Sequence, residues 1–94
     1  MPDQPISAQY TLPDTDEQTQ AAILSHALHV FPAPLTTEEL MLDITAGSQE
    51  FVEVDGTRNA LRSLLRDGLL RQNGVLILPV RAVVRFNELR DAGM

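Results

Sequence analysis

Residues 58–79 join two patterns that together limit what this chain can fold into. The leucines of "RNALRSLLRDG" fall at helical spacing on the side away from its arginines. The segment "LLRQNGVLILP" follows without a linker and places two apolar runs around Asn73-Gly74. Asparagine tolerates, and glycine readily adopts, the positive φ angles of a type I′ turn. The sequence therefore predicts a helix that leads directly into a β-hairpin with Asn73-Gly74 as its two-residue loop.

Two further helices are predicted before this unit. The first begins with Asp14 or Thr15 as its N-cap, because a Glu or Gln follows three residues after each. It ends before the sequence "PAP". The second begins in "LTTEEL", with Thr36 or Thr37 as N-cap, and stops at Gly47.

The third helix is expected to begin with Asp55 as N-cap and to end near Asp67. Residues 48–54 are then a connector in which Phe51 and Val54 fill the core. A last helix lies in "VRAVVRFNELRDAG". The expected core positions, from the first helix to the last, are Leu24, Ala27, Leu28, Phe31, Leu40, Ile44, Leu61, Leu64, Leu65, Val80, Val83, Val84 and Leu89.

Residues 1–13 contain three prolines and are predicted to form an extended N-terminal arm. Within this arm, "AQYTL" (8–12) is a candidate edge strand. Residues 14–94 are predicted to form one domain, since a chain of 94 residues is too short for two cores.

The order helix, helix, helix, hairpin, helix over about residues 15–90 resembles the winged helix-turn-helix domain of bacterial transcription regulators. In this resemblance "LTTEEL" is the second helix, "RNALRSLLRDGLL" the third, "RQNGVLILP" the wing and "RAVVRFNEL" the closing helix. It implies an α+β fold, mainly α, with a three-helix core, a two-stranded β-hairpin wing and a C-terminal helix. Two departures are a longer segment between the second and third helices and Val80 at a position where many relatives have a capping Ser or Thr.

The resemblance implies double-stranded DNA as the partner and regulation of transcription as the function. The third helix, about 55–67, would lie in the major groove, where Arg pairs with guanine and Asn with adenine. The candidate DNA-binding residues are Thr57, Arg58, Asn59, Arg62 and Ser63 for the bases, Arg66 for a phosphate, and Arg71, Gln72 and Asn73 in the wing.

The charges are divided between the two halves of the chain. Residues 1–55 hold ten acidic residues and no basic one, whereas residues 56–94 hold seven arginines and three acidic residues. This division is compatible with an anionic partner for the basic half. It is equally compatible with attraction between the halves, within the fold or across a dimer.

A winged helix that makes protein contacts without binding DNA is the alternative. It predicts an exposed apolar patch involving Tyr10, Leu12 or Phe86. This alternative predicts a stable dimer or a complex with an acidic surface of another protein. A homodimer through residues 1–13 and the last helix is expected, since one DNA-binding module buries little surface.

The sequence offers little for catalysis. It has no cysteine, no glycine-rich phosphate loop and no nucleophile motif. His26 and His29 lie three residues apart, but no third metal ligand is evident. We therefore expect neither an enzyme nor a cofactor, metal or small-molecule ligand. The absence of a long apolar run or a secretory signal predicts a cytoplasmic protein without a membrane span.

Overall fold

A computed structural model describes residues 3–46 and 51–93, with side chains described for 16–46 and 53–93. Within these residues the protein is an α+β fold, mostly helical. The helices are α1 (Asp3–Val30), α2 (Thr37–Thr45), α3 (Phe51–Arg66) and α4 (Arg81–Ala92), and the strands are β1 (Leu35–Thr36), β2 (Leu70–Asn73) and β3 (Leu76–Pro79). The strands form one antiparallel sheet in the order β1-β3-β2.

The core lies where α1, α2 and α3 pack together and meet the sheet. Its buried apolar residues are Ile23 and Ala27 from α1, Leu40 from α2, Ala60, Leu61 and Leu64 from α3, and Leu35, Leu70 and Ile77 from the strands. The predicted core positions Ala27, Leu40, Leu61 and Leu64 are confirmed, while Leu24, Ile44 and Leu65 are partly buried. Phe31 was wrongly assigned to the core, because it is 40% exposed.

Helix α1 begins eleven residues earlier than its predicted cap. The backbone of residues 3–13 is helical, so the predicted extended arm and the candidate strand at 8–12 are wrong for these residues. Pro5 lies in the first helical turn, where its missing N–H has no helical acceptor to lose. Pro13 removes one interior N–H donor, and the helix continues on both sides of it. The predicted patch residues Tyr10 and Leu12 lie outside the described side chains.

The start of α2 follows the predicted capping pattern. The Thr36 hydroxyl accepts a hydrogen bond from the Glu39 N–H at 3.0 Å, and the Glu39 carboxylate accepts one from the Thr36 N–H at 2.9 Å. These two bonds form a complete capping box. The helix ends with Ala46 in the left-handed conformation, and the predicted stop Gly47 lies outside the described residues.

Replacing Thr36 with alanine is expected to destabilise the fold by about 1 kcal/mol, because the Glu39 N–H loses its acceptor. Thr36→Ser keeps the hydroxyl and is expected to retain most of that stability. Urea unfolding followed by circular dichroism measures both. Equal losses for the two variants would show that the β-branched methyl group, and not the cap, stabilises this position.

Helix α3 extends further toward the N-terminus than predicted. It begins at Phe51, so residues 51–54 are helical and Asp55 is an interior helical residue rather than the N-cap. The Thr57 hydroxyl donates to the Glu53 carbonyl at 2.9 Å, a bond within the helix that extends across the predicted boundary. Glu53 also places a negative charge in the first turn, where the helix dipole favours it. The side chain of Phe51 lies outside the description, and Val54 is half-buried.

The C-terminal end of α3 forms a Schellman motif around Gly68. The Leu69 N–H donates to the Leu64 carbonyl at 3.0 Å, and the Gly68 N–H to the Leu65 carbonyl at 3.2 Å. Gly68 has a φ of +82°, which glycine adopts without a Cβ clash. The chain then enters β2 at Leu70, so the predicted direct passage from helix to hairpin is confirmed.

The hairpin loop lies one residue later than predicted. Asn73 pairs with Leu76, so the two-residue loop is Gly74-Val75 and not Asn73-Gly74. Only the first loop residue has a positive φ, +64° at Gly74, which is the pattern of a type II′ turn. The later loop pairs Ile77 with Gln72 rather than with Leu70, a shift of two residues that leaves Ile77 on the buried face of the sheet, where it also pairs with Leu35.

Strand β1 and helix α4 complete the fold. The predicted two-stranded wing is instead part of a three-stranded sheet, in which β1 pairs with β3. Helix α4 starts after Val80, which provides no side-chain cap. No residue of α4 is fully buried, and Leu89, predicted as core, is 53% exposed. The helix lies on the domain surface and contributes little to its interior.

Candidate nucleic-acid interface

Helix α3 presents a polar side chain at every turn of its exposed surface. Asp55, Asn59, Arg62 and Arg66 follow the spacing i, i+4, i+7, i+11, which places them within a narrow sector of one helix. Arg58 borders this sector and is also exposed. We call these five residues the α3 polar face. It lies opposite the buried residues that attach α3 to the core.

Three residues of the α3 polar face form a hydrogen-bonded series. The Asn59 Nδ2 donates to an Asp55 carboxylate oxygen at 3.4 Å, and the Arg62 Nη1 donates to the Asn59 Oδ1 at 3.2 Å. All three side chains are near solvent, so each bond is weak and exchangeable. The series nevertheless aligns a carboxylate, an amide and a guanidinium along the helix, and each of these groups matches the edge of a different base in the major groove.

Asp55 was missed as a site residue because the predicted helix began with it. An N-cap directs its side chain to its own backbone, whereas an interior residue directs it outward. The spacing of four between Asp55 and Asn59 was visible in the sequence. That spacing places the two side chains on one face of α3 only if the helix begins before residue 55.

Two of the predicted base-contacting residues do not lie on the exposed face. Thr57 is 4% exposed and its hydroxyl is bonded within the helix, so its assignment to a DNA-contacting set is wrong. Ser63 is half-buried and lies beside the sector rather than in it. The reason is helical spacing. Thr57 lies three, four and seven residues before Ala60, Leu61 and Leu64, so it shares their buried side of α3.

The remaining predicted residues are all at the surface. Arg66 forms an ion pair with Asp67 at 3.3 Å, and both side chains are more than half exposed, so the pair is weak. Arg71, Gln72 and Asn73 are exposed along β2. The hairpin loop has only two residues, and Thr37 donates its N–H to the Val75 carbonyl at 3.0 Å. The loop therefore lies against the start of α2.

Several arginines have no carboxylate partner. Over the described ranges, the ion pairs are His26–Asp43, Arg66–Asp67 and Arg85–Glu88. Arg58 and Arg62 are in none of them. Both remain available for an anionic or acceptor-rich partner.

The two histidines have separate positions. His26 Nε2 lies 2.8 Å from an Asp43 carboxylate oxygen and joins α1 to α2, while His29 is exposed. No group of three metal-ligating side chains occurs among the described residues. The His26–Asp43 contact therefore belongs to helix packing.

Comparison of the chain with protein-family models, curated proteins and solved structures finds no match. Among the helices of the described ranges, none has the length and apolar character that crossing a membrane requires.

Proposed function

We propose that this protein is a winged-helix transcription regulator that binds double-stranded DNA with α3 in the major groove. The observation that supports this function best is the α3 polar face. It combines Arg58 and Arg62, which have no carboxylate partner among the described residues, with the amide of Asn59. A major groove accommodates one α-helix, and these are the side chains that read its base edges.

The order of elements supports the same proposal. Three helices precede a short hairpin and one helix follows it, as the resemblance to winged-helix regulators requires. The core holds α3 through Leu61 and Leu64 and leaves its polar face outward. Strand β1 adds a constraint, because it fixes the hairpin beside the start of α2.

The residues divide into two roles under this proposal. Arg62 forms a bidentate contact with guanine, and the Asn59 amide accepts one hydrogen bond from adenine and donates another to it. Arg66 and Arg71 contact phosphates, which contribute affinity without reading sequence. Asn73 and Gln72 contact the DNA backbone from the hairpin. The two-residue hairpin loop is too short to extend far into a minor groove. A DNA-bound role also places the protein in the cytoplasm with the chromosome.

Selection of bound duplexes from a random library tests the proposal. We expect enrichment of a site containing guanine and adenine, with binding that weakens steeply as salt increases because counterions are released from DNA. The control is the double variant Arg58→Ala/Arg62→Ala, which should enrich no sequence while folding normally. If the wild-type protein enriches nothing at low salt, the proposal is wrong.

A protein-interaction module is the second candidate function. Phe86 and Leu89 are 64% and 53% exposed on α4, a helix without a single buried residue. Exposed aromatic and aliphatic side chains on one helix are typical of contact surfaces. This candidate predicts a stable complex whose affinity does not change when Arg62 is replaced.

A further inference from the structure

A pocket of about 620 Å³ lies where the C-terminal end of α1, the hairpin and α4 meet. Its lining contains three arginines, Arg71 from β2 and both Arg81 and Arg85 from α4, together with Phe31, Pro79, Val84 and Glu88. We call it the arginine pocket. We propose that the arginine pocket binds a nucleoside monophosphate, with the arginines at the phosphate and the Phe31 ring at the base.

The charge of the arginine pocket is opposite to that of the whole chain. Its three arginines and one glutamate leave a formal charge of +2, whereas the chain carries −6. Arg71 and Arg81 belong to no ion pair among the described residues, and Arg85 pairs only with Glu88, at 3.3 Å. Guanidinium groups in one pocket repel one another, so an anion placed between them lowers the electrostatic free energy. The pocket therefore favours an anionic ligand.

The ion pair inside the pocket is weak enough to exchange for such a ligand. The Arg85 and Glu88 side chains are 66% and 60% exposed, so their contact contributes little free energy. Helix α4 also starts at this pocket, and Val80 gives it no side-chain cap. The positive end of the helix dipole therefore adds to the potential that the arginines create near Arg81.

A phosphate monoester matches the pocket better than a carboxylate does. A phosphate monoester carries a charge of about −1.5 to −2 at neutral pH, which is close to the surplus of the arginines, whereas a carboxylate carries a single negative charge. Arginine also binds phosphate oxygens through two parallel N–H donors. Charge and hydrogen bonding thus both favour phosphate.

The size and the apolar lining of the pocket indicate that the phosphate belongs to a larger molecule. Ligand pockets commonly measure about 300–1,000 Å³, and a phosphate ion alone would leave most of this one empty. Phe31 is partly exposed and provides a phenyl ring, a group on which every nucleobase can stack. A nucleoside monophosphate supplies both the phosphate and a planar base.

The arginine pocket is distinct from the α3 polar face. Among the described residues, none that lines the pocket belongs to α2 or α3. Arg71 is shared with the proposed phosphate contacts to DNA, so the variants below leave Arg71 unchanged. The inference does not rest on DNA binding, and it can hold or fail independently of that function. The sequence indicated no small-molecule ligand because the lining combines residues that are distant along the chain.

Isothermal titration calorimetry of the full chain tests the site with four nucleoside 5′-monophosphates, ribose 5-phosphate and inorganic phosphate. We expect all four nucleotides to bind, and to bind at least about fivefold more tightly than ribose 5-phosphate, because base stacking adds affinity. Phe31→Leu should reduce the nucleotides to the affinity of ribose 5-phosphate. If no nucleotide binds, or if the nucleotides bind no more tightly than ribose 5-phosphate, the proposal is wrong.

Three variants of α4 test the role of the arginines. Arg81→Gln is expected to weaken nucleotide binding by more than about tenfold, because it removes a charged hydrogen-bond donor. Arg90→Gln is the matched control, since it removes the same charge from an exposed position of α4 that does not line the pocket. Glu88→Gln is expected to tighten binding by up to about fivefold, because it releases Arg85 from its ion pair.

The gain expected for Glu88→Gln is informative because a folding defect cannot produce it. Thermal melting verifies that the other variants fold. Equal losses for Arg81→Gln and Arg90→Gln would assign the binding to net charge and overturn the proposal. Weaker binding by a folded Glu88→Gln variant would overturn it as well.

Discussion

Replacing Arg62 with alanine is expected to weaken sequence-specific DNA binding while leaving the fold intact. Arg62 lies at the centre of the α3 polar face, is exposed, and makes a single hydrogen bond to Asn59. Its loss removes a bidentate base contact, which is equivalent to about 1–3 kcal/mol, or roughly a 5- to 150-fold loss of affinity for the preferred site. Fluorescence anisotropy with the selected duplex and a scrambled duplex measures this loss.

Two arginine variants separate base reading from phosphate contact. Arg66→Ala is expected to weaken binding to both duplexes alike and to lower the slope of log K against log salt by about 1. Arg81→Ala removes the same charge from the start of α4, away from the α3 polar face, and should change neither affinity. If Arg81→Ala weakens binding as much as Arg62→Ala, net charge rather than α3 determines recognition.

Replacing Leu64 with alanine is expected to lower the free energy of unfolding by about 2–5 kcal/mol. Leu64 is 2% exposed and lies in the core cluster that joins α3 to α1 and the sheet. Its backbone carbonyl accepts the Leu69 N–H in the Schellman motif, and the alanine variant retains this bond. For a domain of this size, each kcal/mol lowers Tm by about 4–8 °C, which differential scanning calorimetry resolves.

Leu89→Ala provides the matched control for the core. It makes the same chemical change at a leucine that is 53% exposed on α4, and the expected effect is within about 0.5 kcal/mol. Similar losses at both leucines would mean that α4 packs against the domain more tightly than its exposure indicates. A large loss at Leu64 alone confirms that stability resides in the contacts of α3.

The local signals in the sequence were sufficient for some elements and misleading for others. The cap at Thr36 and the end of α3 near Asp67 were predicted correctly, because both depend on bonds within a few residues. The starts of α1 and α3 were predicted too late. Asp14 and Asp55 are residue types that often cap helices, but the structure places both of them inside a helix. The loop of the hairpin was placed one residue too early for a related reason. Both Asn73-Gly74 and Gly74-Val75 provide a glycine for a two-residue loop, and the structure selects the second by pairing Asn73 with Leu76.

For the candidate site, too, some predictions from the sequence were correct and others were wrong. Arg58, Asn59 and Arg62 were recognised from their residue types and helical spacing, and the structure places them at the surface. Thr57 was assigned to the wrong face, and Asp55 was not recognised as a member of the polar face. The omission of Asp55 follows from the predicted helix start, because Asp55 could not be placed on an exposed face while it served as the cap. The Thr57 error does not, since its spacing from Leu61 and Leu64 already places it on the buried side of α3. A groove lined by Met41, Val54 and Val75 was not predicted at all, since its lining comes from α2, α3 and the hairpin turn.

The sequence by itself determined the four helices, the hairpin and their order, but not strand β1, because helical periodicity, caps and glycine turns act over a few neighbouring residues. It also determined that the arginines belong to the second half of the chain. Only the tertiary structure decided which face of α1 is buried, where α3 begins, the strand register, and the pairing of β1 with the hairpin. These features depend on contacts between residues distant in sequence, such as Leu35 with Ile77 and Thr37 with Val75. Packing selects one arrangement among several that the local signals allow, and that selection exposes the α3 polar face and forms the groove between α2, α3 and the hairpin turn.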